Sequence, residues 1–542
     1  MQDQICTLAF RSQCPFLFSM QSMGSRRNPR TVLGVSTRNA AMHNWNTELA
    51  MTYHEETKHS YDSVYRSRHF LDWANQPRQF KLYPGLEAIL LPADLPVTQI
   101  PALLAMASPG EPTVTTPWPT LHDLAYVLFY AAGVTKRRVY PGHGEMLFRA
   151  AACTGALYHI DLYLTVCDVP GLQAGLYHFD PHDFALRQLR QGDYRRVLVE
   201  ASGNDPALQE VPVLVIGSDT FWRNSWKYRA RAYRHSFWDA GTILANLLAA
   251  ANARTLAAHL TLGFADDPVN ALLDVDTNRE VALFLVGLGS GAPLRTAVPP
   301  VTPLPIEVAP LSAEEHDYPA IHIMHAASSL ESPEEAAEWR GAVPEAPMPP
   351  LTGEMFPLCP DAAESLPPAA LEDVIRRRGS TRQFVHQPLS LTQLSNVLVQ
   401  AMQPIPADCL AAPGSRINDL YLIVNAVADL PPGAYVFHPQ EQAIELLRTG
   451  DFRLEVGALA LGQEFAAEAS VAIFCLCDLF AILERFGNRG YRAAQLEAGI
   501  LGGRMYLAAY AQGFGASGLT FFDDDVTAFF SPHAADKSVM FL

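Results

Sequence analysis

Arg376, Arg377 and Arg378 form a run of cations, and Ser380 and Arg382 follow Arg378 at two and four residues. Guanidinium forks present several N–H donors in fixed geometry, so with a hydroxyl between them this spacing can grip a phosphate. The plainer reading is an Arg-rich helix end that favours its own dipole. Lys227-Tyr228 is a second pair with chemical capacity. A lysine can act as a base near neutral pH when burial or nearby cations lower its pKa. Arg229, Arg231 and Arg234 lie close enough in sequence to do so, although a surface turn after Trp226 explains the pair equally simply. His54, His59, His122, His159, His178 and His235 show no metal-ligand spacing, and Asp523-Asp524-Asp525 suits a helix N-terminus, so no metal is expected.

These residues need elements to hold them. Val374 and Ile375 lead into the arginines, Pro388 stops the segment, and Leu389, Leu391, Leu394, Val397 and Leu398 then recur at helical spacing. Thr120 can cap a similar helix carrying Leu121, Leu124, Val127, Leu128 and Ala131. Short β-branched runs at 162–167, 211–216, 280–287, 420–424 and 471–475 read as strands. Residues 237–259 and 496–511 read as Ala-rich helices, the first too apolar for a solvated surface.

A chain of 542 residues exceeds one ordinary core, so two or more domains are expected. Net charge −17 and a pI near 5.4 argue against a nucleic-acid groove as the main business of the surface. Eight cysteines without Cys-x-x-Cys form no disulfide framework, which suits a reducing cytoplasm. No run of eighteen apolar residues free of charge or proline occurs, so no spanning helix is predicted. Residues 1–43 carry five arginines against one aspartate, the composition of a transit peptide, a flexible arm or an unstructured extension. Proline crowding over 293–370 predicts a linker with at most one small element near Ile321 to Met324.

The chain also repeats itself. At an offset of 258, Asp161-Leu162-Tyr163-Leu164 recurs as Asp419-Leu420-Tyr421-Leu422, and Gly175, Tyr177, Phe179 and Pro181 recur as Gly433, Tyr435, Phe437 and Pro439. Tyr233-Arg234 and Ala240-Gly241 reappear as Tyr491-Arg492 and Ala498-Gly499. The agreement predicts two copies of one fold, able to pair as a covalent pseudo-dimer. The copies differ in equipment. At an offset of 270, which holds upstream, Arg378, Ser380 and Arg382 answer to Ser108, Gly110 and Pro112, while at 258 Lys227-Tyr228 answers to Arg485-Phe486.

Arg378-x-Ser380-x-Arg382, with Phe384 and Pro388-Leu389 after it, resembles the flavin phosphate and ribityl motif of nitroreductase-superfamily domains, with Gly379 where Arg or His is usual. The stretches Tyr53-His54-Glu55-Glu56-Thr57-Lys58-His59-Ser60, Leu71-Asp72-Trp73-Ala74-Asn75-Gln76-Pro77 and Phe80-Lys81-x-Tyr83-Pro84-Gly85 resemble the N-terminal region of SagB-type dehydrogenases. The resemblance covers most of residues 50–540 and implies an α+β fold of two tandem nitroreductase-like domains. An extension at 1–43, a first domain at 44–292, a linker at 293–370 and a second domain at 371–542 follow from it. It implies a single FMN held by Arg378, Ser380 and Arg382. Ser517, Gly518 and Leu519 would lie beside its ring, and the loop Cys153, Thr154, Gly155, Ala156 and Leu157 would close over it from the first copy. Lys227 and Tyr228 would take the proton. The implied activity is oxidation of an azoline ring in a peptide, within a peptide-modifying complex. The alternatives are NAD(P)H-dependent reduction of nitro compounds or quinones, and a non-catalytic scaffold subunit.

Overall fold

The computed structural model describes residues 43–67, 69–107, 118–140, 144–341, 351–410 and 415–542. Apart from its last residue, the expected N-terminal extension lies outside these, as do Ser108, Gly110, Pro112 and residues 411–414.

The β-branched runs pair into two sheets. The first has the spatial order Ala88–Leu90, Ala185–Gln191, Gly175–Asp180, Ile160–Val166, Val213–Thr220, Glu280–Leu288, Ala258–Thr261. The second has the order Glu354–Pro357, Ala443–Thr449, Gly433–His438, Asp419–Val424, Val471–Cys477, Ser538–Phe541. Neighbours in both are antiparallel. Register repeats with the sequence: Leu164 faces Tyr177 as Leu422 faces Tyr435, and Tyr163 faces Ile216 as Tyr421 faces Phe474. A β-bulge before Tyr177 recurs before Tyr435. Central strands such as Ile160–Val166 are buried along their whole length because both faces are covered, which is why they read as unbroken apolar runs.

Two long helices, Ala232–Ala253 and Arg489–Ala511, lie between the sheets and against each other. Their apolar side chains, among them Leu244, Leu247, Leu496 and Ile500, belong to one core that spans both halves of the chain. The crossing is tight where counterpart glycines meet. A Cβ on Gly241 would come 2.5 Å from the Leu496 carbonyl oxygen, and one on Gly499 would come 2.6 Å from that of Trp238.

Charged contacts across this junction are reciprocal. Asp266 takes Arg489 at 2.5 Å and Arg492 at 2.9 Å, while Asp523 takes Arg231 at 3.1 Å and Arg234 at 2.6 Å. At the offset of 258, Arg231 and Arg234 are the counterparts of Arg489 and Arg492.

The linker expectation needs correction. Residues 293–370 contain the helices Pro319–Ala327 and Pro333–Trp339 and the edge strand Glu354–Pro357. Pro319 and Pro333 each stand in the first turn of a helix, where a missing N–H costs nothing, and Pro357 ends a strand at the edge of its sheet. The helix Pro319–Ala327 repeats the helix Glu48–Glu56. Arg492 donates to the Ser328 hydroxyl and the His325 carbonyl, as Arg234 does to the Thr57 hydroxyl and the His54 carbonyl. The repeat therefore extends into the segment read as linker.

Candidate active site

A cavity of about 680 Å³ opens in the back half of the chain. Its floor is the C-terminal end of the long helix Arg489–Ala511 with the turn Gly513 to Leu519, and residues 381–389 cross over it as an extended strap. The strap is pinned by Thr381 N–H donating to the Ala516 carbonyl at 2.9 Å and Leu389 N–H to that of Ala426 at 3.1 Å. Arg377 is the one charged side chain among the described residues of the wall, and no carboxylate side chain faces the space. Such a wall suits a neutral or anionic ligand.

Among the described residues the counterpart space in the front half is closed. Leu248, Asn252, Leu256 and Ala258, which answer to Tyr506, Tyr510, Phe514 and Ala516, enclose only about 20 Å³. Asn252 seals it by donating to the Ala105 and Ala107 carbonyls at 3.0 Å each. Arg504 also enters from the back half, and its guanidinium is occupied by the carbonyls of Ala401, Gln403 and Pro404.

The phosphate motif stands where the halves meet. Arg378 donates to the Ala150 carbonyl at 3.0 Å and to that of Arg149 at 3.3 Å, and its guanidinium lies 5.6 Å from the centre of the Tyr506 ring. Ser380 Oγ lies 3.1 Å from the Tyr506 hydroxyl. Arg382 is exposed and 5.7 Å from the centre of the Phe465 ring. Ser517, Gly518 and Leu519 line the cavity. Ala150 is three residues before Cys153, so the motif and the front loop are neighbours.

That loop is held by a buried acid. Asp239, in the middle of the helix Ala232–Ala253, accepts from Thr154 N–H and hydroxyl and from the Cys153 thiol at 3.0 Å. His159 lies between it and a second carboxylate, 2.8 Å from Asp239 and 2.6 Å from Asp219. Gly155 has φ +64°, a left-handed conformation that suits glycine, and a Cβ there would come 2.9 Å from the Tyr228 hydroxyl. Ala156 accepts from Gln79 through its carbonyl, and Leu157 packs on Trp222 and Trp226. Burial and the Asp239 carboxylate push the Cys153 thiol up, so it stays protonated and donates.

Burial would lower the pKa of His159, but the two carboxylates raise it to about 9. A group raised on folding stabilises the protein fully below its unfolded value, near 6.5, and loses that contribution as pH rises through its folded value. Stability in urea is thus expected to fall between pH 7 and 10, and to fall much less in His159→Gln.

Lys227 and Tyr228 end the helix Phe221–Tyr228, half-buried, with Lys227 Nζ 5.3 Å from the Tyr228 ring centre. Burial pushes the Tyr228 hydroxyl up and Lys227 opposes it. Tyr228 stacks edge-on with His235 at 4.5 Å, and beyond His235 the Trp238 ring meets Phe541, a residue of the cavity wall, at 5.7 Å. The pair is therefore beside the front loop but not on the described wall of the cavity. Of the cations expected to act on Lys227, Arg231 and Arg234 are occupied by Asp523, and Arg229 is exposed.

Sequence reasoning missed Asp239, His159 and Tyr506. A signal existed for the first: an acid recurs at the same repeat position as Glu497, which accepts from Ile417 and Asn418 N–H in the back half.

The nitroreductase family model matches residues 172–290 and 375–533, one region in each half. The chain belongs to the nitroreductase family. It is accordingly an oxidoreductase of a flavin-dependent class, with an α+β nitroreductase-like fold present in two matched regions. "Putative nitroreductase MJ1384" of Methanocaldococcus jannaschii is 26% identical over 165 residues, covering 29% of this chain and 81% of that protein. A crystal structure from Anabaena variabilis, of a protein with the same description, superposes with TM-score 0.72 at 26% identity and covers 91% of this chain and 98% of its own. The trifolitoxin operon protein TfxC of Rhizobium leguminosarum bv. trifolii is 26% identical over 151 residues, covering 24% of this chain and 42% of that protein. Among the described residues no helix is long and apolar enough to cross a membrane.

Proposed function

We propose that the two halves act as a covalent pseudo-dimer with one FMN site, and that the protein is an NAD(P)H-dependent reductase of small aromatic acceptors such as nitro compounds or quinones. The observation that carries this reading is the contrast between a cavity of about 680 Å³ and a counterpart of about 20 Å³. The larger volume lies within the range of small-molecule and cofactor pockets, about 300–1,000 Å³. Ser517 Oγ and Thr520 Oγ1 are buried without partners beside it, as expected of donors awaiting a ligand.

Arg378, Ser380 and Arg382 would hold the phosphate and ribityl chain, Ser517, Gly518 and Leu519 the ring edge, and the loop Cys153, Thr154, Gly155, Ala156 and Leu157 would approach from the front half. Bound FMN supplies reversible two-electron hydride chemistry. The chain's own contribution is binding, orientation and exclusion of water. A reductase asks for no protein base at the reacting carbon, which agrees with a described cavity wall without carboxylate side chains and with Lys227 standing outside it. In this reading the first unit runs over 44–292 and the second begins at Pro319, ahead of residue 371, in a cytoplasmic protein.

The second reading is dehydrogenation of an azoline in a peptide, with Lys227 and Tyr228 taking the proton. The approach of Tyr228 to Gly155 in the front loop favours it. Purified protein is expected to carry one flavin per chain, measured by absorbance after denaturation, and to bleach with NADPH under anaerobic conditions. Two flavins per chain would refute the single site. Bleaching by an azoline peptide and not by NADPH would select the dehydrogenase, and a colourless protein that takes up no FMN would select a scaffold role.

A further inference from the structure

We infer that Tyr506 is a positioning residue that withholds Gly518 N–H from a ring-shaped ligand in the cavity until its hydroxyl lets go. The inference rests on the functional reading above, in that the ligand is a planar ring with acceptor atoms along its edge.

Tyr506 lies on the long helix Arg489–Ala511, is 4% exposed, and lines the cavity. Its hydroxyl accepts from Gly518 N–H at 2.5 Å and lies 3.1 Å from Ser380 Oγ. It therefore joins Ser380, the residue just ahead of the strap, to the turn that ends at Leu519. A phenol oxygen has one proton and two lone pairs, and two partners use most of that capacity. While the bond lasts, Gly518 N–H is withheld from any acceptor in the cavity. Its neighbours, Ser517 Oγ and Thr520 Oγ1, are buried with no partner. The wall thus carries one idle hydroxyl, that of Ser517, beside an N–H that is capped, with the Thr520 hydroxyl buried just behind it.

The fold itself does not ask for this hydroxyl. In the front half the same turn of the counterpart helix is built with Leu248, which lines the closed counterpart space. A tyrosine at this position therefore occurs in the half that has a cavity, and its polar end serves that cavity. A protein whose competent state is only partly populated binds with an affinity reduced by that fraction, so removing the bonds of the closed state raises affinity. Losing two hydrogen bonds of ordinary net strength sets the gain between about fivefold and a hundredfold.

The test is titration and stopped-flow mixing of the flavin-free full chain with FMN and with riboflavin. In Tyr506→Phe both dissociation constants are expected to fall by about fivefold to a hundredfold through faster association, and Tyr506→Leu, which copies the front half, is expected to follow the same trend. A role in packing alone would instead leave affinity unchanged or weaken it, and either result overturns the inference. In the wild type the observed association rate is expected to level off at high FMN as release of the hydroxyl becomes limiting. A rate that rises linearly throughout overturns the inference even if neither variant folds. A wild type that binds no flavin would sink the functional reading, whereas flavin binding indifferent to Tyr506 would sink only this step.

Discussion

Asp266→Ala is expected to lower the stability of the protein by about 3–5 kcal/mol, read as a large shift of its urea unfolding midpoint, because it leaves two buried guanidiniums without their carboxylate. Arg489 and Arg492 are 1% and 2% exposed at their side chains and have no route to water that would compensate them. Burial would raise the Asp266 pKa, but these two arginines hold it at about 2. That contribution is present above the usual aspartate value, about 3.9, and is lost only as pH falls through the folded value. Asp523→Ala is expected to act alike through Arg231 and Arg234. The pairs join the halves, so the loss should also appear as easier proteolysis between them. A change below about 1 kcal/mol, the worth of a surface ion pair, would show that the junction does not depend on these contacts.

Arg378→Ala is expected to weaken FMN binding by about tenfold to a hundredfold, the value of one charge-assisted hydrogen bond of about 1.5–3 kcal/mol, and to leave riboflavin binding nearly unchanged. The difference between the two ligands isolates the phosphate. Arg378 also supports the carbonyls of Arg149 and Ala150, so its loss frees the chain just before Cys153. A loop effect alone would weaken both ligands equally. Equal weakening would remove Arg378 from the phosphate site and leave it as a brace between the halves.

Much of this architecture was legible in the residues. Short β-branched runs located the central strands and Ala-rich runs both long helices, and the offset of 258 carried over to strand register and even to the bulge before Tyr177 and Tyr435. The arginine motif and the loop at Cys153 were expected to be neighbours, and Arg378 does reach Ala150. The helices at Pro319 and Pro333 were hidden because proline reads as a breaker, while at the first turn of a helix it is neutral or favourable. Tyr506 and Asp239 were hidden for another reason. Each lies in an Ala-rich helix whose period describes packing, and what a buried hydroxyl or carboxylate touches depends on contacts more than eighty residues away, such as Ser380 for Tyr506 and Thr154 for Asp239. Lys227 was expected at the flavin as the proton acceptor; it stands beside the front loop, and its distance from the cavity wall depends on Trp238 and Phe541, which no local pattern relates.

The closed space around Arg504 has a consequence for how such a chain can change. When two identical subunits share a pocket, every substitution is felt twice, once in the wall and once in the lid, so improving one can harm the other. In the proposed pseudo-dimer that constraint is gone: Leu248 and Tyr506, or Asn252 and Tyr510, hold matching repeat positions yet answer to different demands. The sealed side can accumulate packing residues as a rigid buttress while the open side is tuned for a ligand, a freedom that no symmetric homodimer possesses.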